Sequence, residues 1–292
     1  MFTAFRQEAM PNQAARARVS RRRLLVLAAL WASLLPGRAA AQQPPVAADV
    51  TPRHATFTLE SRALGERRRY NVYTPPAYAT GTAAYPVLYM PDGGMAEDFP
   101  HVVNTLDSLI GLGRVSAMLV VGIENTERRR DLTGPTREAR DLAIAPRVGG
   151  SAAFRDFLRE ELMPEIRRRY RVTDETALVG ESLAGLFVIE TLLEDPALFR
   201  RYLAIDPSLW WGAEALARGA AARLGGLDLA GRSLYLTAAG VDGNVASVER
   251  LVEALRSAAP AGFTWHYDPR PAEHHATIFR GTLPEGLLRV LP

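Results

Sequence analysis

The sequence contains no cysteine. This absence excludes disulfides, thiolate metal sites and thiol catalysis. Lysine is absent as well, because every one of the 35 basic residues is an arginine. The chain therefore has no Schiff-base lysine, no Walker-A lysine and no Ser-Lys dyad. Any catalysis has to rely on serine, histidine, carboxylate or arginine.

Histidine is scarce, with only five residues in the whole chain. None of them forms an H-E-x-x-H motif or a pair at metal-ligand spacing. This pattern does not indicate a metallohydrolase. We expect the protein to need no metal and no organic cofactor.

Most of the chain lacks an excess of positive charge. Residues 1–41 hold seven arginines and one glutamate, which leaves 28 arginines against 31 acidic residues and a net charge of −3 for the remainder. A surface without excess positive charge lacks the electrostatic attraction that supplies most non-specific affinity for nucleic acid. We therefore expect no nucleic-acid partner.

The N-terminal segment has the order of a secretory signal. A basic region ending at residues 20–23 precedes an apolar run at 24–35, and Ala39 and Ala41 fit a small-residue cleavage site before Gln42. The Ser-Arg-Arg-x-Leu-Leu order also resembles a twin-arginine signal, with the general secretion route as the alternative. The run is short for a membrane span, which disfavours an uncleaved anchor. The mature protein is predicted to be exported, periplasmic or secreted, without a membrane span.

The rest of the chain predicts one α/β domain over residues 42–292. Two strands at 55–59 and 69–73, joined by a glycine turn, predict an antiparallel edge. From residue 87, short apolar runs alternate with helical segments, which indicates a mostly parallel central sheet flanked by helices. The runs lie at 87–90, 117–123, 177–179, 202–205, 234–238 and 263–267, and the clearest helices at 154–170, 183–193 and 245–255. Residues 125–150 lack periodicity and predict a long surface loop.

The candidate nucleophile is Ser182. The predicted strand at 177–179 leads into Gly180-Glu181-Ser182-Leu183-Ala184 and then an apolar helix. This is the setting of a G-x-S-x-G nucleophile elbow, with Ala184 in place of the second glycine. The Leu183 N–H, at the positive end of the helix, is then a predicted oxyanion donor. The alternative is a serine that only caps a packed helix.

The general base is expected among the histidines that follow Ser182, because the triad of this fold runs Ser, acid, His along the chain. His266 lies within a predicted strand, where a structural role is the simpler interpretation. His274 and His275 lie in the loop before the final helix. That loop is the expected place for the base.

The acid is predicted to be Asp242, which follows the strand at 234–238 and would orient the imidazole. An ordinary turn aspartate is the alternative for this residue. Asp206 and Glu249 are held in reserve, and a Ser-His dyad without an acid is also open. The second oxyanion donor is expected at Gly93 or Gly94, after the strand at 87–90, where a plain turn is the alternative.

With these residues placed, the sequence resembles the putative-esterase family of α/β-hydrolases, and within it the siderophore-esterase branch. The matching stretches are 85–89 with 92–93, 121–123, 130–133, 180–186, 205–211 and 273–277. The resemblance implies the α/β-hydrolase fold. Through the branch's Glu-x-His pattern it selects His275 as the base. It leaves the acid open, and it marks Ala184 and Glu181 as departures from the usual pattern.

The resemblance also implies a substrate surface. Arg130 would grip an anionic or catecholic group, and Trp210 and Trp211 would form an aromatic wall. A solvated arginine run and core packing are the respective alternatives. The implied function is a serine carboxylic-ester hydrolase acting on a small-molecule ester, of siderophore or phenolic type. An acyltransferase like the mycolyltransferases and a non-catalytic binding protein are the competing hypotheses.

Overall fold

The structure is a computed structural model that describes residues 49–50 and 52–291. The predicted signal at 1–41 and the cleavage position before Gln42 lie outside these residues. Across the part of the chain that is described, no helix has the length and apolar character needed to cross a membrane.

Eight strands form one sheet in the order β1-β2-β4-β3-β5-β6-β7-β8. The pairs β1–β2 and β2–β4 are antiparallel, and all the others are parallel. The predicted fold class, a mostly parallel sheet with an antiparallel N-terminal edge, is confirmed. The strands are β1 Ala55–Ser61, β2 Glu66–Tyr73, β3 Tyr85–Met90, β4 Leu119–Ile123, β5 Val172–Glu181, β6 Arg201–Ile205, β7 Ser233–Ala239 and β8 Thr264–Arg270.

The inner strands are apolar because helices cover both of their faces. Every residue of β4 and of β7 is buried. In β5, by contrast, the predicted segment 177–179 lies within the buried part, 176–180, of a longer strand. Residues 173–175 near its start are polar and at least partly exposed, although Val172 pairs with Tyr85 at the start of β3. Hydrophobicity alone could not reveal that extension.

Helices pack on both faces of the sheet and divide the core in two. Leu178 of β5 contributes to one cluster, while its neighbours Ala177 and Val179 contribute to the other. The bounds are α1 Phe99–Gly111, α2 Arg128–Asp131, α3 Ala139–Ile144, α4 Ser151–Asp156, α5 Met163–Arg169, α6 Leu183–Glu194, α7 Trp211–Arg218, α8 Ala220–Leu224, α9 Val245–Ala258 and α10 His275–Val290. A 3₁₀ turn, Pro76–Tyr78, precedes β3. Side chains of α1 and α10 lie in one cluster, and those of α6 and α9 in the other.

Two regions differ from the sequence-based expectation. Residues 125–150 contain α2 and α3, so the prediction of an uninterrupted loop is wrong there. Both helices are too short to show a hydrophobic period. The predicted helix at 154–170 is present, but a π-helical turn at Phe157–Leu162 interrupts it between α4 and α5. Within that turn, Glu161 accepts hydrogen bonds from the Arg62 and Ala63 amides at 2.9 and 3.1 Å, which ties the helix to the β1–β2 turn.

Candidate active site

Ser182 occupies a tight turn between β5 and α6. Its backbone has φ 59° and ψ −117°, a conformation that is unfavourable for a residue with a side chain. Three hydrogen bonds hold it: its own N–H donates to the Ile205 carbonyl, and its carbonyl accepts from the Leu186 and Ser208 amides, at 2.9 to 3.1 Å. The turn thus has the geometry of the predicted nucleophile elbow.

The small residues of the motif make this turn possible. A Cβ added to Gly180 would lie 2.5 Å from the backbone carbonyl carbon of Ala184, so no larger residue fits at that position. Ala184 is itself fully buried. Its methyl group is accommodated because the opposite residue is glycine, which explains how the elbow tolerates alanine in place of the usual second glycine.

His275 is the first residue of α10 and faces the elbow. Its Nε2 lies 3.1 Å from the Ser182 Oγ, and its Nδ1 lies 2.5 Å from a carboxylate oxygen of Asp206. An ionised carboxylate only accepts hydrogen bonds, so Nδ1 carries the proton and Nε2 keeps the lone pair that faces the serine. The hydrogen bond to Asp206 raises the pKa of His275, and burial opposes this shift.

Asp206, at the end of β6, is fully buried. The carboxylate oxygen that does not face His275 accepts hydrogen bonds from the backbone amides of Ala239 and Asn244, at 3.2 and 3.0 Å. Three donors therefore fix the orientation of this carboxylate. The residue held in reserve as the acid is the one that lies against the imidazole.

The expectation for Asp242 is corrected by its position. Its exposed carboxylate accepts a hydrogen bond from the backbone N–H of His275 at 2.7 Å and lies 3.1 Å from the ring of His274. It does not contact the His275 ring, because the segment after β7 turns around Asp206, with the Asn244 amide donating to that buried carboxylate. Asp242 thus holds the beginning of α10.

The other candidates for base and acid point elsewhere. His274 lies beside Asp242 at the surface, with its side chain 48% exposed. The His266 ring stacks on Tyr235, with centroids 5.9 Å apart, as expected for a strand residue with a structural role. Glu249 accepts a hydrogen bond from the Tyr267 hydroxyl at 3.1 Å.

The predicted oxyanion donors differ in whether their N–H group already has an acceptor within the protein. Leu183 is the first residue of α6, and its N–H has no acceptor among residues 49–50 and 52–291, so it is free to bind a substrate oxygen. The N–H of Gly93 donates to the Ile123 carbonyl at 2.9 Å, and a Cβ on this glycine would lie 2.2 Å from the Ile123 nitrogen. The expectation for Gly93 is corrected: this glycine lets the loop pack on β4. The Gly94 N–H is bound by a side chain, the Glu97 carboxylate, at 2.7 Å.

Two residues that the motif analysis did not assign also lie at the elbow. The Ser208 hydroxyl is 3.2 Å from the Ser182 hydroxyl, and Ser208 is buried. The Glu181 carboxylate is 3.6 Å from His275 Nε2, and burial raises the pKa of this carboxyl to about 7. Both residues lie within the stretches that match the esterase family. For Glu181, its position next to Ser182 in the sequence was the signal that could have placed it in the site.

Arg130 is neutralised by carboxylates. Its guanidinium binds Glu66 at 2.8 Å and Asp131 at 2.6 Å. Its neighbour Arg128 lies nearer the elbow: it donates to Asp92 through two bonds of 2.6 and 2.7 Å, and its Nη2 is 3.5 Å from the Glu181 carbonyl. Both arginines line a depression of about 540 Å³. Arg128 is thus the arginine that contacts the nucleophile turn.

The two tryptophans have different environments. Trp211 is 5% exposed, and its indole N–H donates to the Gly134 carbonyl at 3.1 Å. Its environment is therefore that of a core residue, which was the alternative to an aromatic wall. Trp210 is half-buried, and the Arg140 guanidinium lies 4.9 Å from its ring centroid. Only Trp210 retains the partial exposure that an aromatic wall requires.

A serine on a strand–turn–helix elbow, within a sheet of this strand order, defines the α/β-hydrolase fold. Residues 61–290 match the model of the family described as "Putative esterase". Because that match covers most of the sequence, the chain belongs to this esterase family.

The chain is also similar to curated relatives and to solved structures. Ferri-bacillibactin esterase BesA of Bacillus subtilis is 32% identical over 50% of this chain and 56% of its own length. The siderophore triacetylfusarinine C esterase of Aspergillus fumigatus is 30% identical over 45% of this chain and 47% of its own length. The chain thus spans about half the length of these relatives.

Among solved structures, an IroE-like serine hydrolase from Shewanella oneidensis is 28% identical with a TM-score of 0.75, over 81% of this chain and 79% of that one. Siderophore hydrolase EstB from Aspergillus nidulans has a TM-score of 0.67 at 21% identity, over 85% of this chain and 96% of that one. The second likeness concerns the fold alone.

Proposed function

We propose that the protein is an exported serine carboxylic-ester hydrolase that cleaves siderophore-type esters through a Ser182–His275–Asp206 triad. The observation that carries this proposal is the continuous chain of contacts from the Ser182 hydroxyl through His275 to buried Asp206, at 3.1 and 2.5 Å. Membership of the esterase family supports the class of reaction.

In the first half of the proposed reaction, Ser182 Oγ attacks the ester carbonyl while its proton moves to His275 Nε2. Asp206 keeps the other ring nitrogen protonated and stabilises the imidazolium that forms. The Leu183 N–H donates to the oxygen that becomes negatively charged. The imidazolium then gives its proton to the departing alcohol, which leaves an acyl group on Ser182.

In the second half, water attacks the acyl-enzyme while His275 again accepts a proton. The carboxylic acid is released, and the serine regains its proton. A second oxyanion donor is supplied, we infer, by Gly94. Its N–H is held by a side-chain acceptor, the Glu97 carboxylate, whereas the Gly93 N–H is held by the backbone carbonyl of Ile123.

The substrate class rests on the relatives. Of the two curated relatives named above, one is named a ferri-bacillibactin esterase and the other a siderophore triacetylfusarinine C esterase. A small-molecule siderophore ester is therefore the proposed substrate. Arg128, which contacts the nucleophile turn, has the chemistry to bind a polar part of it, and the half-buried Trp210, two residues after Ser208, has the chemistry to contact an aromatic part.

Export is proposed from the sequence of residues 1–41 alone. The basic region, the short apolar run and the small residues at Ala39 and Ala41 support it. Mass spectrometry of the protein recovered from a periplasmic fraction tests this part, since cleavage predicts a mature chain that begins near Gln42.

The test of the activity compares the wild type with Ser182→Ala on a short-chain aryl ester, a catecholate trilactone and a hydroxamate siderophore ester. We expect the wild type to hydrolyse at least one siderophore ester, and the variant to lose at least about a thousandfold in kcat. If Ser182→Ala keeps the wild-type rate, the nucleophile assignment is wrong. If an added alcohol captures the acyl group in preference to water, the protein is an acyltransferase.

A further inference from the structure

Glu181 has an unusual position beside the catalytic imidazole. Its carboxylate oxygen lies 3.6 Å from Nε2 of His275, the same nitrogen that is 3.1 Å from the Ser182 hydroxyl. The side chain is only 17% exposed. The imidazole therefore has a carboxylate near each of its nitrogens, with Asp206 at Nδ1 and Glu181 at Nε2.

The charge of Glu181 is not neutralised by the nearby arginine. The charged groups that face Glu181 are His275 from α10, Arg128 from α2, and Asp92 and Asp98 from the segment between β3 and α1. Arg128 is bound to Asp92 through Nε and Nη2 at 2.6 and 2.7 Å, and its one contact with Glu181 is the backbone carbonyl, 3.5 Å from Nη2. Within the part of the chain that the structure describes, no side chain donates a hydrogen bond to the Glu181 carboxylate, which leaves the imidazole as its nearest cationic partner.

We propose that Glu181 is a positioning residue for the catalytic histidine, acting on Nε2 to stabilise the imidazolium and to set the pH range of the reaction. This inference rests on the proposed function, because it requires His275 to be the general base. Glu181 does not itself take the proton. The proton of Ser182 moves to Nε2 as the bond from Oγ to carbon forms, and it moves on from Nε2 to the departing alcohol as the ester bond breaks.

The ionised carboxylate acts between these two transfers. Before the first transfer, Nε2 has no proton and gains nothing from Glu181. After it, Nε2 carries a proton, with the oxygen of Ser182 at 3.1 Å and the Glu181 carboxylate at 3.6 Å. A negative charge on Glu181 at this distance favours the protonated ring. Glu181 therefore raises the basicity of His275 in addition to the effect of Asp206, which agrees in direction with the raised pKa of His275.

Glu181 and His275 titrate as a coupled pair, because the charge of each group changes the proton affinity of the other. Below the pKa of Glu181, near 7, the carboxyl is largely neutral and gives the imidazolium little support. Above it, the carboxylate is ionised and holds the proton on His275 to higher pH. The acid limb of the pH–rate profile should therefore lie at higher pH than Asp206 alone would set.

The test uses Glu181→Gln, which keeps the shape and removes the charge, in the full chain. The kcat/KM for 4-nitrophenyl butyrate, which is neutral over the range, is measured from pH 5 to 9. We expect the midpoint of the acid limb to fall by about one pH unit, the lower end of the range for a charge at this separation. Glu181→Asp keeps the charge and should restore most of the wild-type midpoint.

Glu249→Gln serves as the matched control, because it makes the same change at a glutamate that contacts only Tyr267 in the hydrogen-bond pattern. We expect no shift of the midpoint for this variant. A midpoint in Glu181→Gln that equals that of the wild type, or a shift shared with Glu249→Gln, would overturn the inference.

Titration of the His275 imidazole by NMR in Ser182→Ala gives a readout independent of activity. Adding Glu181→Gln to this background should lower the imidazole midpoint by a similar amount, and an unchanged midpoint contradicts the inference. Failure of the proposed function looks different. If Ser182→Ala retains esterase activity, the function fails and this inference fails with it. If Ser182→Ala is inactive but Glu181→Gln leaves both midpoints unchanged, only the inference fails.

Discussion

Replacing Asp206 by asparagine tests whether this buried carboxylate, and not Asp242, is the acid of the triad. One oxygen of Asp206 accepts from the Ala239 and Asn244 amides. In Asp206→Asn the amide oxygen should keep these two backbone donors, because turning it away would leave both amides without an acceptor. The amide NH₂ then faces His275 Nδ1.

That orientation reverses the tautomer of the imidazole. A donor at Nδ1 requires a lone pair there, so the neutral ring carries its proton on Nε2, where it can no longer accept from the Ser182 hydroxyl at 3.1 Å. Loss of the correct tautomer in a triad costs about ten-thousandfold in kcat, equivalent to about 5 kcal/mol of activation free energy. We expect a loss of this size for Asp206→Asn.

The assay is the rate of hydrolysis of a short-chain aryl ester at pH 8, with circular dichroism and thermal unfolding of each variant as checks on folding. Asp242→Asn is the matched control. Its carboxylate is exposed, and the asparagine oxygen can still accept the His275 N–H, so the expected loss is less than about tenfold. A folded Asp206→Asn variant within tenfold of the wild type, or one more active than Asp242→Asn, would refute the reasoning.

Two further pairs of variants test the elbow and the core. Gly180→Ala would bring a methyl group 2.5 Å from the Ala184 backbone, so activity on an aryl ester should fall by at least about a hundredfold, whereas Ala184→Gly should stay within about tenfold. Equal losses in the two variants would contradict the packing argument. Arg68→Met removes a fully buried guanidinium that binds Asp131, and urea unfolding should show a loss of about 3–5 kcal/mol. Arg67→Met, in an exposed ion pair, should cost less than about 1 kcal/mol, and similar costs for both would count against the burial argument.

The fold could be predicted from the sequence to the extent that burial leaves a pattern. The inner strands are continuous apolar runs because helices cover both faces, and the elbow motif locates Ser182 at the end of one of them. The short helices α2 and α3 could not be predicted, since four and six residues do not complete two turns. The start of β5 could not be predicted for a different reason: its residues 173–175 are polar, and backbone pairing with β3 leaves no hydrophobic pattern.

The acid could not be decided from the sequence because two aspartates follow adjacent strands. Asp206 directly follows β6 and Asp242 follows β7. Neighbouring strands lie about 5 Å apart. Both carboxylates therefore come near His275, at the beginning of α10. The choice depends on the path of the segment after β7, which directs the Asn244 amide to Asp206 and leaves Asp242 outside. A path of this kind has no signature in residue type.

The catalytic contacts join parts of the chain that are far apart in sequence: Ser182 and His275 are separated by 93 positions, and Asp206 and His275 by 69. Contacts of such high sequence separation are entropically costly and form slowly during folding. A chain in which the helices and the first strands have formed would still lack its base until β8 and α10 dock. If the proposed triad is correct, recovery of activity during refolding should follow the docking of α10 against the ends of β5 and β6, because only then do all three side chains meet.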